Sequence, residues 1–111
     1  MKVIIAGSRT IDDYEAVCRA VENSGFKPTE IVSGGARGVD RLGERWAKEH
    51  GVPVKKFSAE WDKYGRSAGY KRNRQMAEYA DALVVLWDGK SPGTKHMIDI
   101  AIELGLPVDP T

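Results

Sequence analysis

The sequence predicts an α/β fold: a single Rossmann-like domain over residues 1–111, three layers deep, with a mostly parallel sheet of about five strands and helices on both faces. Short apolar runs alternate with amphipathic segments of helical period along the whole chain. Three of those runs end in glycine-containing loops, at Gly7, Gly34 and Gly89. At 111 residues, 41% of them hydrophobic and 30% charged, the chain can fill one core and is too short for two.

Taken in order, Lys2 to Ala6 reads as a buried strand, with Gly7-Ser8-Arg9-Thr10 as its C-terminal loop. Asp12 and Glu15 have capping-box spacing, and Tyr14, Val17, Cys18 and Val21 then share one helical face until Gly25. Pro28 and Thr29 lead into a second strand, Glu30 to Ser33. The turn Ser33-Gly34-Gly35-Ala36-Arg37-Gly38-Val39-Asp40 opens a helix that reaches His50 and buries Val39, Leu42, Gly43, Trp46 and Ala47. Gly51 stops that helix, and Val52 to Phe57 is the third strand.

A long connection follows from Ser58 to Gly69, holding Trp61, Asp62, Tyr64, Gly65 and Arg66, and connections of that length are often functional. Tyr70 to Ala80 is helical, with Met76, Ala77 and Ala80 inward. Ala82 to Trp87 is the most apolar strand and belongs in the middle of the sheet. Asp88 to Thr94 forms another glycine-containing loop, before a helix from about Lys95 to Leu104 and a short strand from Leu106 to Val108. Trp46 and Trp87, both in apolar patterns, read as core or site wall.

In a parallel sheet of this kind, ligands bind beyond the strand C-termini, where the strand order reverses. The loops Gly7 to Arg9, Gly34 to Asp40 and Asp88 to Thr94 are therefore expected on one edge. Glycines at a helix N-terminus suit either a tight turn or an anion cradle, since unpaired N–H groups and the helix dipole favour negative charge. Asp40 reads either as a first-turn carboxylate stabilising its helix or as a ribose ligand, and Thr94 as a helix cap, a phosphate ligand, or both. Lys63, Arg66, Lys71, Arg72 and Arg74 form a run with no acid between Asp62 and Glu78, either a solvated face or a ligand cover. Trp61, Tyr64 and Tyr70 either stack on a base or pack beneath their loop.

The formal charge of +1, from 17 basic and 16 acidic residues, leaves only local charge effects and argues against wholesale binding of duplex DNA or an anionic membrane. A single cysteine, Cys18, fits a reducing compartment, and the apolar start is too short for a signal peptide or membrane span, so the expected location is cytoplasmic. His50 and His96 stand alone. Neither a metal nor a cofactor is expected. No nucleophile elbow or P-loop motif is present, which argues against an acyl hydrolase or a P-loop nucleotidase.

The segments V-I-I-A-G-S-R (Val3 to Arg9), I-V-S-G-G-A-R-G-V-D (Ile31 to Asp40), R-N-R-Q-M-A-E-Y-A-D-A-L-V-V-L (Arg72 to Leu86) and W-D-G-K-S-P-G-T (Trp87 to Thr94), in that order, resemble the SLOG superfamily. More narrowly, they resemble its small YspA/cpYpsA-related branch of bacteria and phages. The resemblance implies a Rossmann-like domain for a nucleotide or nucleotide-derived ligand. It also implies kinship with phosphoribohydrolases and with the DNA-processing protein of natural transformation. In the phosphoribohydrolases, an Arg of R-K-x-x-M and the Glu of P-G-G-x-G-T-x-x-E carry the hydrolysis. The first matches Arg72, and the second falls on Met97, whose thioether cannot do a carboxylate's work.

The expected function is therefore the binding of a nucleotide, a dinucleotide or an ADP-ribose-like molecule, as a sensor or ligand-binding module. Gly34, Gly35, Gly38, Gly93 and Thr94 would cradle phosphate, Arg9, Arg37 and Arg72 would neutralise it, and Asp40 would meet ribose. Trp61 or Tyr64 would lie near the base, with Gly7, Ser8, Ser33, Asn73 and Asp88 completing the site. The first alternative is a nucleotide N-glycosidase using Arg72 and a non-standard carboxylate, Asp40 or Asp62, and the second is single-stranded nucleic acid binding. On the last helix Met97, Ile98, Ala101 and Leu104 make one face, while Ile100 and Ile102 read as a second apolar face, either a homodimer contact or the far side of a helix buried between the sheet and the chain's tail.

Overall fold

Residues Lys2–Gly7 form the first strand, β1, and its successive side chains enter two different cores, as the pleat of a strand covered on both faces requires. The computed structural model describes residues 1–110. After β1 come α1 (Tyr14–Ser24), β2 (Glu30–Ser33), α2 (Val39–Glu49), β3 (Val54–Lys56), α3 (Trp61–Tyr64) and a 3₁₀ turn (Gly65–Ser67). Then follow α4 (Ala68–Tyr79), β4 (Ala82–Leu86), α5 (Pro92–Glu103) and β5 (Val108–Asp109).

Val3 and Ile5 pack with Ile31 and Val84 against Val17 and Val21 of α1 and Val39, Trp46 and Ala47 of α2. On the opposite face Ile4 and Ala6 pack with Val32, Leu83 and Val85 against Met76 and Ala77 of α4 and Met97, Ile100 and Ala101 of α5. These are the three expected layers.

The strand order is β3-β2-β1-β4-β5, and all four pairings are parallel. The chain steps outward from β1 to β3, crosses back to the other side of β1, and steps outward again to β5. The order therefore reverses between β1 and β4, and a crevice opens above their C-terminal ends. There Gly7 is in register with Leu86. A Cβ on Gly7 would strike the Leu86 carbonyl and come within 2.8 Å of the Val39 side chain, so this close convergence of β1, β4 and α2 needs a glycine.

Several expected boundaries move. The cap of α1 is Asp13, not Asp12: its carboxylate accepts from the Ala16 N–H at 3.1 Å, which is the hydrogen bond that decides the register. The connection from Ser58 contains the short helix α3 and the 3₁₀ turn, and α4 starts at Ala68, whose side chain is buried. α5 starts three residues before Lys95 because Pro92 occupies its first turn, where a missing N–H costs nothing. β3 is confined to Val54–Lys56 and β5 to Val108–Asp109.

Trp87 is not core: it is 40% exposed, and its indole N–H donates to the Ser91 carbonyl. Ile100 is not on a second apolar face either. It lies one helical turn from Met97 on the same side and is 6% exposed, whereas Ile102 points outward. Among the described residues no helix is long and apolar enough to cross a membrane.

Candidate functional site

Above the β1/β4 reversal lies a cavity of about 380 Å³, bounded by Gly7 and Arg9 after β1, Asp40 of α2, Arg72 and Asn73 of α4, and Gly93 and Thr94 of α5. A second chamber of about 470 Å³ adjoins it over the Gly34–Arg37 turn, rimmed by Arg41 and Lys56. Arg9, Ala36, Trp61 and Arg72 line both, so the two form one cleft.

Arg72 is held from two sides. Its Nη1 donates to the Gly34 carbonyl at 2.8 Å and its Nε to Asn73 Oδ1 at 3.2 Å. This directs the guanidinium across the junction of the chambers and leaves Nη2 without a protein acceptor among the described residues. Burial lowers its pKa, the negative charge of Asp40 opposes that shift, and Arg9 adds to it. It remains a cation throughout the biological pH range.

Asp40 is 5% exposed at the floor of the first cavity. Burial pushes its pKa up to about 6, despite opposing hydrogen bonds from the Ala36 and Gly7 backbone N–H groups and the charge of Arg72. The Ala36 bond to Oδ2, at 3.4 Å, folds the glycine turn back over α2.

Four expected site residues line neither chamber: Ser8, Ser33, Gly38 and Asp88. Ser8 is fully buried, its hydroxyl accepting from the Asp88 N–H at 2.9 Å and from Ser91 Oγ at 3.2 Å, which joins the loops after β1 and β4. Ser33, also fully buried, donates to Glu44 at 2.6 Å and accepts from the Gly35 N–H at 3.0 Å. Gly38 has φ +77° and packs against Ser8 and Arg9 so closely that a Cβ would sit 2.5 Å from the Ser8 carbonyl. Asp88 accepts from the Lys90 and Ser91 N–H groups, which hold its pKa well below the usual carboxylate range. These residues shape the loops that present the others.

α5 points its N-terminus at the first cavity and has no side-chain cap there. Thr94 lies inside the first turn, buried at 7% exposure, and so is not the cap. A Cβ on Gly93 would meet nothing within 4 Å, which leaves its backbone open to a ligand. Asn73 fixes this end: its Nδ2 donates to the Gly93 carbonyl at 3.2 Å and lies 3.2 Å from His96 Nδ1. Tyr70 packs on the His96 ring with centroids 4.4 Å apart and lines the cavity. Met97 also lines it, 2% exposed.

Gly7, Arg9, Gly34, Gly35, Arg37, Asp40, Trp61, Arg72, Asn73, Gly93 and Thr94 are thus brought together by elements far apart in sequence. Arg66 and Tyr70 of the acid-free run reach the cavity, whereas Tyr64 lines neither chamber and holds Lys63 and Lys71 over its ring. Sequence reasoning missed Arg41 and Lys56. Only Arg41 left a signal, as it follows Asp40 directly; Lys56 reaches the turn because β3 pairs with β2, where it is in register with Ser33. Among the described residues, no three His, Cys, Asp or Glu side chains gather as metal ligands.

Comparison with known proteins bears on the family and the fold. The chain is 34% identical to the Gene 61 protein of Mycobacterium phage D29, over 96% of its own length and 93% of the relative's. Its fold is similar to that of DNA processing protein A (DprA) from Streptococcus pneumoniae, with a TM-score of 0.78 at 20% identity over 96% of the chain. The chain spans about half, 48%, of that longer protein. A family model covering residues 1–64 matches as well, and the chain belongs to the YspA, cpYpsA-related SLOG family.

Proposed function

We propose that this protein binds a nucleotide-derived small molecule in the cleft above β1 and β4. The observation that carries this reading is the meeting of Arg72 and Arg9 with the uncapped N-terminus of α5 around one cavity. That combination favours a phosphate: fixed N–H dipoles with an open glycine on one side, and guanidinium forks on the other. The half-exposed Trp61 ring and Tyr70 provide faces for a base. Family membership and the fold likeness support a role connected with nucleotides or nucleic acid at this coarser level.

One observation favours a second reading, N-glycosidic hydrolysis. Asp40 reaches the same cavity as Arg72 with a pKa near 6, a value suited to exchanging protons near neutrality. Asp62 is exposed and lines neither chamber, so Asp40 is the carboxylate that reading requires.

A thermal-shift screen with nucleoside mono- and diphosphates, NAD, ADP-ribose and short oligonucleotides tests both, provided each mixture is then chromatographed for free base. Stabilisation with intact ligand supports the binding module, because selective binding to the native state must raise the melting temperature. Stabilisation accompanied by free base, lost in Asp40→Asn, supports the hydrolase. Stabilisation by oligonucleotides alone contradicts both.

A further inference from the structure

The cleft has more positive charge than one phosphate requires. The first cavity contains Arg9, Arg72 and the α5 N-terminus, which together suffice for a monophosphate, and its size of about 380 Å³ is at the small end of ligand pockets. The adjoining chamber of about 470 Å³ adds Arg37, Arg41 and Lys56. In a chain whose formal charge is only +1, this is a local concentration of cations.

Outside the cleft the arginines are balanced locally: Arg19, Arg45 and Arg74 each have a carboxylate within 4 Å. Around the second chamber only Lys56 does, on Glu44 at 3.5 Å. Among the described residues Arg9, Arg37, Arg41 and Arg72 have no such partner. Four guanidinium groups about one hollow repel each other, and an anion reaching into it relieves that repulsion. The floor leaves room too: Gly35 is left-handed at φ +72°, its N–H is taken up by Ser33 Oγ, and a Cβ there would touch only the Lys56 side chain, at 3.9 Å.

We infer that the ligand is a nucleotide carrying a pyrophosphate, with its nucleoside and first phosphate in the β1/β4 cavity and its second phosphate between Arg37 and Arg41. This inference rests on the nucleotide reading above and extends it. A single-stranded nucleic acid fits less well, because it needs successive stacking faces, and the second chamber has no aromatic lining beyond the Trp61 shared with the first. Arg9 and Arg72, which line both chambers, stand where the pyrophosphate linkage would pass.

The test is calorimetric titration of the wild-type chain and of Arg37→Ala/Arg41→Ala with nucleoside monophosphates, the matching diphosphates and a single-stranded oligonucleotide. Both arginines are exposed, and equal melting temperatures would show that the variant keeps its fold. Wild type should bind the diphosphate at least about tenfold more tightly than the monophosphate. The variant should lose that advantage, its diphosphate affinity falling at least about tenfold and its monophosphate affinity by less. Equal affinities in wild type, or an advantage that survives the double substitution, overturn the inference and leave the nucleotide reading standing. Absence of binding by every nucleotide overturns both. Oligonucleotide binding tighter than any diphosphate, weakening in the variant and growing with length, overturns the inference in favour of nucleic acid.

Discussion

Arg72 closes directly over Gly34: the guanidinium donates to the Gly34 carbonyl at 2.8 Å, and a Cβ on Gly34 would lie 2.6 Å from the same nitrogen and 2.9 Å from Asp40 Oδ2. The obstructing atoms are mostly the end of a flexible side chain. Gly34→Ala should therefore displace Arg72 at a modest stability cost, about 1–2 kcal/mol, while lowering nucleotide affinity at least about tenfold. Parallel denaturation and titration check it.

Gly38→Ala should behave in the opposite way. The residue has φ +77°, and its neighbours are the backbone atoms of Ser8 and Arg9, which cannot swing aside. Stability should fall by roughly 2–4 kcal/mol, read as a lower denaturation midpoint, before any effect on binding can be isolated.

How much of this was legible in sequence follows from the range of each interaction. The alternation that fixes five strands and the layers is local, and Val3, Ile4, Ile5 and Ala6 announce burial on both faces by themselves. The loop glycines were legible because backbone approach at a sheet edge needs them. The roles of Ser8 and Ser33 were not, because a hydroxyl taken up by Asp88 and Ser91, or by Glu44 and Gly35, looks in sequence like one free for a ligand. Ile100 was misplaced by reading the α5 stripe too narrowly. Lys56 was missed because its approach to the glycine turn depends on where β3 lies beside β2.

Asn73 ties Arg72 to the first turn of α5 from a position 6% exposed. Asn73→Ala leaves the Gly93 carbonyl without this donor and Arg72 Nε without its acceptor. A stability loss of about 1–3 kcal/mol is expected, together with weaker binding even though Asn73 offers the ligand little surface. Asn73→Ser, which keeps a polar group, should fall between wild type and alanine.

The Asp40 pKa gives a stability profile with a definite sign. Burial raises it from 3.8 in the unfolded chain to about 6 in the folded one, so the folded state binds the extra proton between those values. Its contribution is fully present below pH 3.8 and is lost as pH rises through about 6, a loss on the order of 2–3 kcal/mol. His96, whose pKa burial lowers, acts in the opposite direction over part of that window. The difference between wild type and Asp40→Asn isolates Asp40: denaturation from pH 4 to about 8 should show the variant gaining relative to wild type as pH rises.

The cleft's central role is tested most directly by titrating an isotopically labelled chain with nucleoside diphosphates and following the backbone amide and indole resonances. Saturable shifts should gather at Gly34, Gly35, Gly93, Thr94 and the Trp61 indole, and Arg72→Ala should weaken them at least about tenfold. Resonances that do not move with any nucleotide, or shifts gathered instead around Gly25 and Gly105, would contradict the assignment of the site.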